Sequence, residues 1–339
     1  MSTPHDGTPM DCTIVVPTHR GEHRLPRLLD ELATQDYEGP WEVLVVVDGR
    51  LDDSEAILNS YKESLPLRVL VHEVPQGVTH AMNAGFENAA GRIAIRCDDD
   101  LTPGPNFVSA HMAHHQSSEP TGVIGPTRDI FPDSAYAEAY GRPANRRSLE
   151  AAYSRSESNN WVGWAANNSA PRELILKAGG FDPAFIYGQD SELGYRLHKL
   201  GLRIVVDPLL EVEHRGPSTS TMTRVPRAYI SGASKRLFYM KHPETLRPDE
   251  PATSTNARVW QGAVKLLARC VRSRDGFAKI GSMLDRAINV LPAAVSARII
   301  ALAVEAAGRS GRRNGVDDLS LYKGQKTAEL QRELANRKA

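Results

Sequence analysis

Arg92-Ile93-Ala94-Ile95-Arg96-Cys97-Asp98-Asp99-Asp100 runs an apolar, strand-like segment straight into three consecutive carboxylates, and Pro103, Gly104 and Pro105 forbid its continuation. Three like charges side by side repel one another and do nothing for a strand end. A divalent cation, or a cation carrying phosphates, makes the arrangement favourable. A solvated acidic turn is the plainer reading of the same residues. The stretch points to a ligand site at the carboxyl end of a buried strand, and the flanking sequence adds weight to it.

Upstream, Cys12 to Pro17 reads as a buried strand, followed by Thr18, His19 and Arg20. Leu25, Leu28, Leu29 and Leu32 share one face of a helix running from about Leu25 to Thr34. Trp41 to Val47 is a second apolar strand ending on Asp48-Gly49, and a helix follows through Ala56, Ile57 and Tyr61. Leu67 to Val71 is a third strand, and Thr79 to Ala89 a helix closed by Gly91. Strands alternating with helices at this spacing predict βαβ units and a mostly parallel α/β sheet. Continuous apolar strands predict a sheet covered on both faces. Ligands bind beyond the carboxyl ends of such strands, where Pro17-Thr18, Asp48-Gly49 and the acid triplet converge. No G-x-G-x-x-G follows the first strand and no Walker A loop is present, so dinucleotide and P-loop readings lose their main support.

Downstream, Asn106 to about Ser158 is less regular, which suits a lid over the site and an ordinary surface insertion equally. Trp161 to Ala170 precedes a short helix, Arg172 to Ala178, that stops on Gly179-Gly180-Phe181-Asp182-Pro183. A further helix opens after Gly188 with Asp190 and Glu192 in its first turn, where the dipole favours negative charge. Capping alone accounts for either acid. Arg203 to Val206 is another strand, followed by Val212-Glu213-His214-Arg215. Beyond Pro243 the α/β pattern stops. Val259 to Arg272, Ala278 to Val290 and Ala293 to Ala307 read as helices rich in Lys and Arg. Such helices lie on an anionic membrane surface, or pack on the catalytic unit or a second copy. Residues 1–11 read as a flexible N-terminus and 315–339 as a polar helix or tail.

The chain of 339 residues has room for an α/β domain of about 200–250 residues plus an appendage. Lys+Arg and Asp+Glu both number 41, which argues against a whole-protein nucleic-acid binder. Cys12, Cys97 and Cys270 are widely spaced and form no C-x-x-C, so neither a disulfide framework nor a zinc site is expected. The first residues lack a signal-peptide pattern, and no uncharged apolar run is long enough to span a membrane, which makes a cytoplasmic setting the expectation.

Four motifs occur in a fixed order: V-V-P-T-H-R from Val15, V-V-V-D-G from Val45, Asn83 to Gly91 leading into Asp98-Asp99-Asp100, and G-G-F-D from Gly179 with G-Q-D-S-E-L-G-Y-R-L from Gly188. Together they resemble the inverting nucleotide-sugar glycosyltransferases of family 2, which have the GT-A fold, over roughly Thr13 to Lys241. The resemblance implies a GT-A domain over 12–243 and a C-terminal helical region over 244–314. It implies that Pro17 and Thr18 border the base and ribose, that Asp48 accepts a hydrogen bond from the base, and that Asn83 and Asp99 belong to the donor-binding set. Asp98 would contact the ribose or help hold a metal. Asp100, the last acid of a D-x-D, would ligate Mn²⁺ or Mg²⁺ on the diphosphate, with His214 as a further metal or phosphate contact.

The resemblance casts Asp190 as the general base, and the chemistry supports this, because a metal-bound aspartate cannot also deprotonate the acceptor. Glu192 is cast as a support that pairs with Arg196 one turn on. Two departures stand out: Gln189 replaces the usual Glu before the base, and Val47-Asp48-Gly49-Arg50 replaces a loop with two acids. The implied donor is a nucleotide sugar, most commonly UDP-linked. The implied acceptor is a lipid carrier, a polysaccharide, a peptide or a small natural product, walled by Trp161 to Asn168 and the 132–157 segment. Peripheral membrane contact or a homodimer through the C-terminal helices belongs to the same picture. The rival readings are a non-catalytic sugar-nucleotide-binding protein and a nucleotidyltransferase of similar shape.

Overall fold

β-Branched and other apolar residues favour extended backbone when both strand faces are covered, and the N-terminal half obeys this. In the computed structural model, β1 (Cys12–Thr18), β2 (Trp41–Asp48), β3 (Leu67–His72) and β4 (Ile93–Cys97) are mutually parallel. Residues 9–247, 253–316, 319–320, 323–324 and 327–328 are described. Alternation of side chains along β1 sends Ile14 and Val16 to one face and Val15 to the other. On the first face α1 (Leu25–Leu32) buries all four of its leucines completely, and α2 (Ser54–Ser60) adds Leu58. On the second face α3 (Val78–Asn88) contributes Met82 and Phe86.

The stretch expected to be irregular is ordered. Beyond β4 come β5 (Leu101–Thr102), α4 (Phe107–Ala113), β6 (Thr121–Ile124), β7 (Thr127–Asp129), a π-helical turn at Ala137–Gly141 and α5 (Arg142–Tyr153). No residue of α5 is buried, so its sequence has no apolar stripe to read. After it come β8 (Asn167–Pro171), α6 (Arg172–Lys177), α7 (Gln189–Lys199), β9 (Arg203–Val206) and β10 (Val212–His214). The main sheet has the order β3-β2-β1-β4-β8-β6-β9, in which β8 is antiparallel to β4 and β6. A small second sheet, β5-β10-β7, lies past the end of β4 and brings Asp129 into register with His214.

β8 is a buried strand made of small polar residues, and it is stable because its side chains have partners. His111 of α4 bonds both Ser169 Oγ and Asn167 Oδ1 at 2.9 Å, and His115 reaches Ser169 Oγ at 2.8 Å. The Asn167 amide donates to the Leu210 carbonyl at 2.8 Å. Asn167 and Asn168, expected in the wall of an acceptor site, are thus buried within the sheet. Burial is the main reason that His111 is pushed down to about 4 and His115 to about 3.

The three C-terminal helices read from sequence are present as α9 (Thr255–Cys270), α10 (Arg274–Ala287) and α11 (Ala293–Asn314). They pack with α8 (Thr221–Lys241) around Val225, Tyr229, Phe277 and Ile300, and Tyr136 and Tyr140 join the same core from beside the π-helical turn. Asp285 of α10 caps α8 by accepting the Thr221 and Met222 amides at 2.7 and 3.1 Å. α8 and α11 meet backbone to backbone: a Cβ on Gly232 would lie 2.0 Å from the Gly308 oxygen. Residues 1–8 and much of 315–339, expected to be flexible or a tail, lie outside the described residues. Among the described residues no helix is long and apolar enough to cross a membrane.

Two stability measurements check this account. Gly232→Ala forces a methyl against backbone and should destabilise the helical layer by about 1–3 kcal/mol, read as a lowered Tm. The buried histidines refuse protons that the unfolded chain accepts below their ordinary 6.5. Stability should therefore fall as the pH drops from 6.5 towards 4, with each histidine contributing about 1.4 kcal/mol per pH unit. Urea titrations at stepped pH should show that slope, and the double change His111→Gln, His115→Gln should flatten it.

Candidate active site

Side chains two apart on a strand share a face, and on β4 this sets Arg96 beside Asp98. Arg96 is only 4% exposed. Its Nε and Nη2 donate to the two Asp98 oxygens at 2.8 and 3.0 Å, and its Nη1 donates to Asp190 Oδ1. The Phe181 ring lies against the guanidinium, 5.5 Å from the ring centre. One buried cation therefore ties the end of β4 to the first turn of α7. Burial is the largest influence on Asp98 and outweighs the Arg96 charge, pushing its carboxyl up to about 6.

The next two acids point elsewhere. Asp99 accepts the Thr18 hydroxyl at 2.6 Å and a bidentate pair from Arg24 at 2.9 and 2.8 Å. Burial still raises its carboxyl above the usual range. Asp100 lies 3.3 Å from His214 Nε2, and His214 Nδ1 is 2.6 Å from Asp129. Burial opposes ionisation of Asp100, yet the His214 hydrogen bond and charge hold its carboxyl below the usual range. Burial would likewise depress His214, but the two carboxylates override it and raise the imidazole to about 10. Gly216 leaves room for this pair, since a Cβ there would fall 1.9 Å from Asp100 Oδ2 and 3.2 Å from His214 Nε2. Among the described residues no three His, Cys, Asp or Glu side chains close on one point.

A cleft of about 1220 Å³ opens here, lined by Arg96, Asp98, Asp129, Gln189, Asp190 and His214 among others. The structure thus brings together Asp98, Asp190 and His214, with Asp100 joined through His214. It does not bring the remaining sequence candidates to that cleft. Asp48 accepts the Gln76 and Gly77 amides at 2.8 and 2.7 Å and faces His72 at 3.1 Å. Asn83 bonds the Phe181 backbone from both ends of its amide, at 2.9 and 2.7 Å. Thr18 and Asp99 satisfy each other, and Pro17 is buried within β1.

These internal bonds are positioning work. Asn83 fixes the turn that places Phe181 on Arg96. Glu192 pairs with Arg196 at 2.7 Å as expected, and Arg196 in turn donates to the Gly180 carbonyl at 2.6 Å. Gln189 Oε1, beside Asp190, is buried without a hydrogen-bond partner. Sequence reasoning missed Arg96 and Asp129. An arginine inside an otherwise apolar strand was the available signal for the first; the second had none.

Comparison with known proteins fits this architecture. The fold is that of the GT-A glycosyltransferases. It is shared with the mannosyltransferase PcManGT of Pyrobaculum calidifontis, solved in complex with GDP-Man and Mn²⁺, at a TM-score of 0.58 and 18% identity, covering 90% of this chain and 89% of that one. S. aureus TarS 1-349 superposes at a TM-score of 0.54 with 17% identity, covering 87% and 90%. Residues 13–170 match the sequence model of glycosyl transferase family 2. That segment, a little under half of the chain, is similar to glycosyltransferase family 2. Validoxylamine A glucosyltransferase of Streptomyces hygroscopicus subsp. limoneus is 28% identical over 222 residues, which cover 57% of this chain and 49% of the relative. The chain spans about half the length of the curated relatives it matches first.

Removing Arg96 tests the hub. Arg96→Met leaves two carboxylates without their buried cation and should cost about 3–5 kcal/mol in urea unfolding at neutral pH. Arg24→Met, whose cation is 40% exposed, should cost clearly less.

Proposed function

We propose that the chain is an inverting transferase that moves a sugar from a nucleoside diphosphate sugar to an acceptor hydroxyl. The observation that carries this reading is that Asp190 and His214, the partner of Asp100, line one cleft together with Arg96 and Asp98. Asp190 uses Oδ1 for Arg96, and its Oδ2 takes no hydrogen bond among the described residues. That oxygen can accept the acceptor's proton while Arg96 fixes the direction from which it does so. The freed oxygen forms the new bond to the anomeric carbon. The bond from that carbon to the diphosphate breaks on the opposite side, and configuration inverts.

Asp100 and His214 would suit a divalent cation that displaces the proton their pairing holds on the imidazole. A carboxylate and an imidazole form a mixed donor set that fits Mn²⁺ better than Mg²⁺, and Gly216 keeps the space around them open. A cation held there would neutralise charge building on the leaving diphosphate, whose own oxygens would complete a shell that the protein supplies only in part. Mn²⁺ beside GDP-Man in PcManGT is consistent with this assignment. In this reading Asp98 faces the donor, while Asp48, Asp99, Thr18, Pro17 and Asn83 hold the walls behind it. A UDP-linked sugar is the first donor to test, with a GDP-linked one second.

The decisive experiment is nucleotide release from a panel of nucleotide sugars with Mn²⁺, Mg²⁺ or EDTA; slow donor hydrolysis needs no acceptor. One donor should be turned over in a metal-dependent way. Asp100→Ala should abolish release, and Asp190→Asn should slow it about 10²–10⁴-fold with donor binding retained. No release from any donor, together with no metal-dependent nucleotide binding, would sink the proposal.

A further inference from the structure

A second and larger cleft, of about 1630 Å³, lies between α7, α8, α9 and α11. It is continuous with the first: Arg155, Val162, Tyr187, Gly188 and Ser191 line both. Gly188 and Ser191 flank Asp190 in sequence, so the second cleft opens on the side of the general base rather than on that of Asp100 and His214. Small-molecule sites occupy about 300–1,000 Å³. This one is sized for several linked units.

Its charge is lopsided. Among the described residues nine lysines and arginines line it against a single carboxylate, Glu244, in a chain whose acidic and basic residues balance overall. Glu244 does not neutralise them, because it is engaged by the Tyr195 hydroxyl at 2.7 Å and by Lys199 at 3.2 Å. Lys235, Lys265, Arg269 and Arg312 form no ion pair among the described residues. Two buried polar atoms on the same walls are also unpartnered: Ser234 Oγ, on a residue only 2% exposed, and Arg155 Nη1. A buried hydroxyl and a buried guanidinium nitrogen without partners cost stability unless a ligand satisfies them. Trp161 and Tyr239 add rings with an apolar face and a polar edge.

We infer that this basic cleft receives the acceptor, and that the acceptor is an anionic saccharide, a chain of sugar units carrying phosphate or carboxylate groups. The inference rests on the transferase reading above. The rings take the sugar faces, the cations take the charged substituents, and one hydroxyl reaches Asp190 through the shared wall. A neutral acceptor gives no reason for Lys235, Lys265, Arg269 and Arg312 to stand without ion pairs, among the described residues, beside one occupied carboxylate.

The test is calorimetric binding to the full chain of oligogalacturonate (carboxylate), a phosphomannan oligosaccharide (phosphate), neutral maltohexaose and a single-stranded oligonucleotide. At least one anionic saccharide should bind, more weakly as salt rises, and maltohexaose should not; which one binds identifies the charged group. Lys265→Glu with Arg269→Glu, both exposed and therefore not expected to unfold the protein, should weaken that binding about tenfold. Equal binding of maltohexaose, tighter binding of the oligonucleotide, absence of binding, or indifference to the charge reversal would each overturn the inference. Nucleotide release measured on the same preparation separates the two proposals. Release without anion binding removes only the acceptor inference. Anion binding with neither release from any donor nor metal-dependent nucleotide binding removes the transferase reading and leaves the cleft an anion site.

Discussion

A guanidinium taken out of water is tolerable only if its charge and its donors are matched, and Arg96 sets that condition at the centre of this molecule. Its partners come from distant parts of the sequence: Asp98 two residues on, Asp190 ninety-four residues on. Satisfying it fixes the first turn of α7 against the end of β4. The Gly179-Gly180 turn, the Asn83 amide and the Glu192–Arg196 pair then hold Phe181 and α7 where the arginine needs them. The orientation of the proposed base comes from a packing requirement rather than from a flexible loop.

The same principle explains the acid triplet. Successive side chains at a strand end diverge, so Asp98, Asp99 and Asp100 each meet a different cation: Arg96, Arg24 and His214. Repulsion among them is offset one by one inside the protein. Two of the three are structural ties, and the third faces an imidazole that also belongs to Asp129. The triplet is therefore a junction that ties the end of β4 to β1, α7 and the small sheet.

What was legible in the sequence is what local physics dictates. Apolar strands ending on acids and leucines at helical spacing gave the parallel half of the sheet and α1 nearly to the residue, and Gly188 gave the start of α7. β8 was not legible, because Asn167-Asn168-Ser169 has no strand-like pattern; it is a strand only through His111 and His115, more than fifty residues earlier. α5 hid for the opposite reason, having no buried face. The motif residues Asp48, Asn83 and Asp99 look the same in sequence whether they contact a ligand or a backbone amide, so only their bonds in the fold distinguish the two. Arg96 is the same difficulty reversed: its chemistry depends on a partner that no local window contains.

The strand order also constrains the route by which the chain is assembled. β8 is made after β6 yet lies between β4 and β6. The β3-β2-β1-β4 half can form early, because its neighbours are close in the chain, but it cannot join the β6-β9 half until β8, which ends at Pro171, has emerged. Until then the edge of β4 is unpaired and Arg96 has only one of its two carboxylates. The cleft is thus a late product of synthesis, and a nascent chain halted before β8 would expose an open strand edge to self-association.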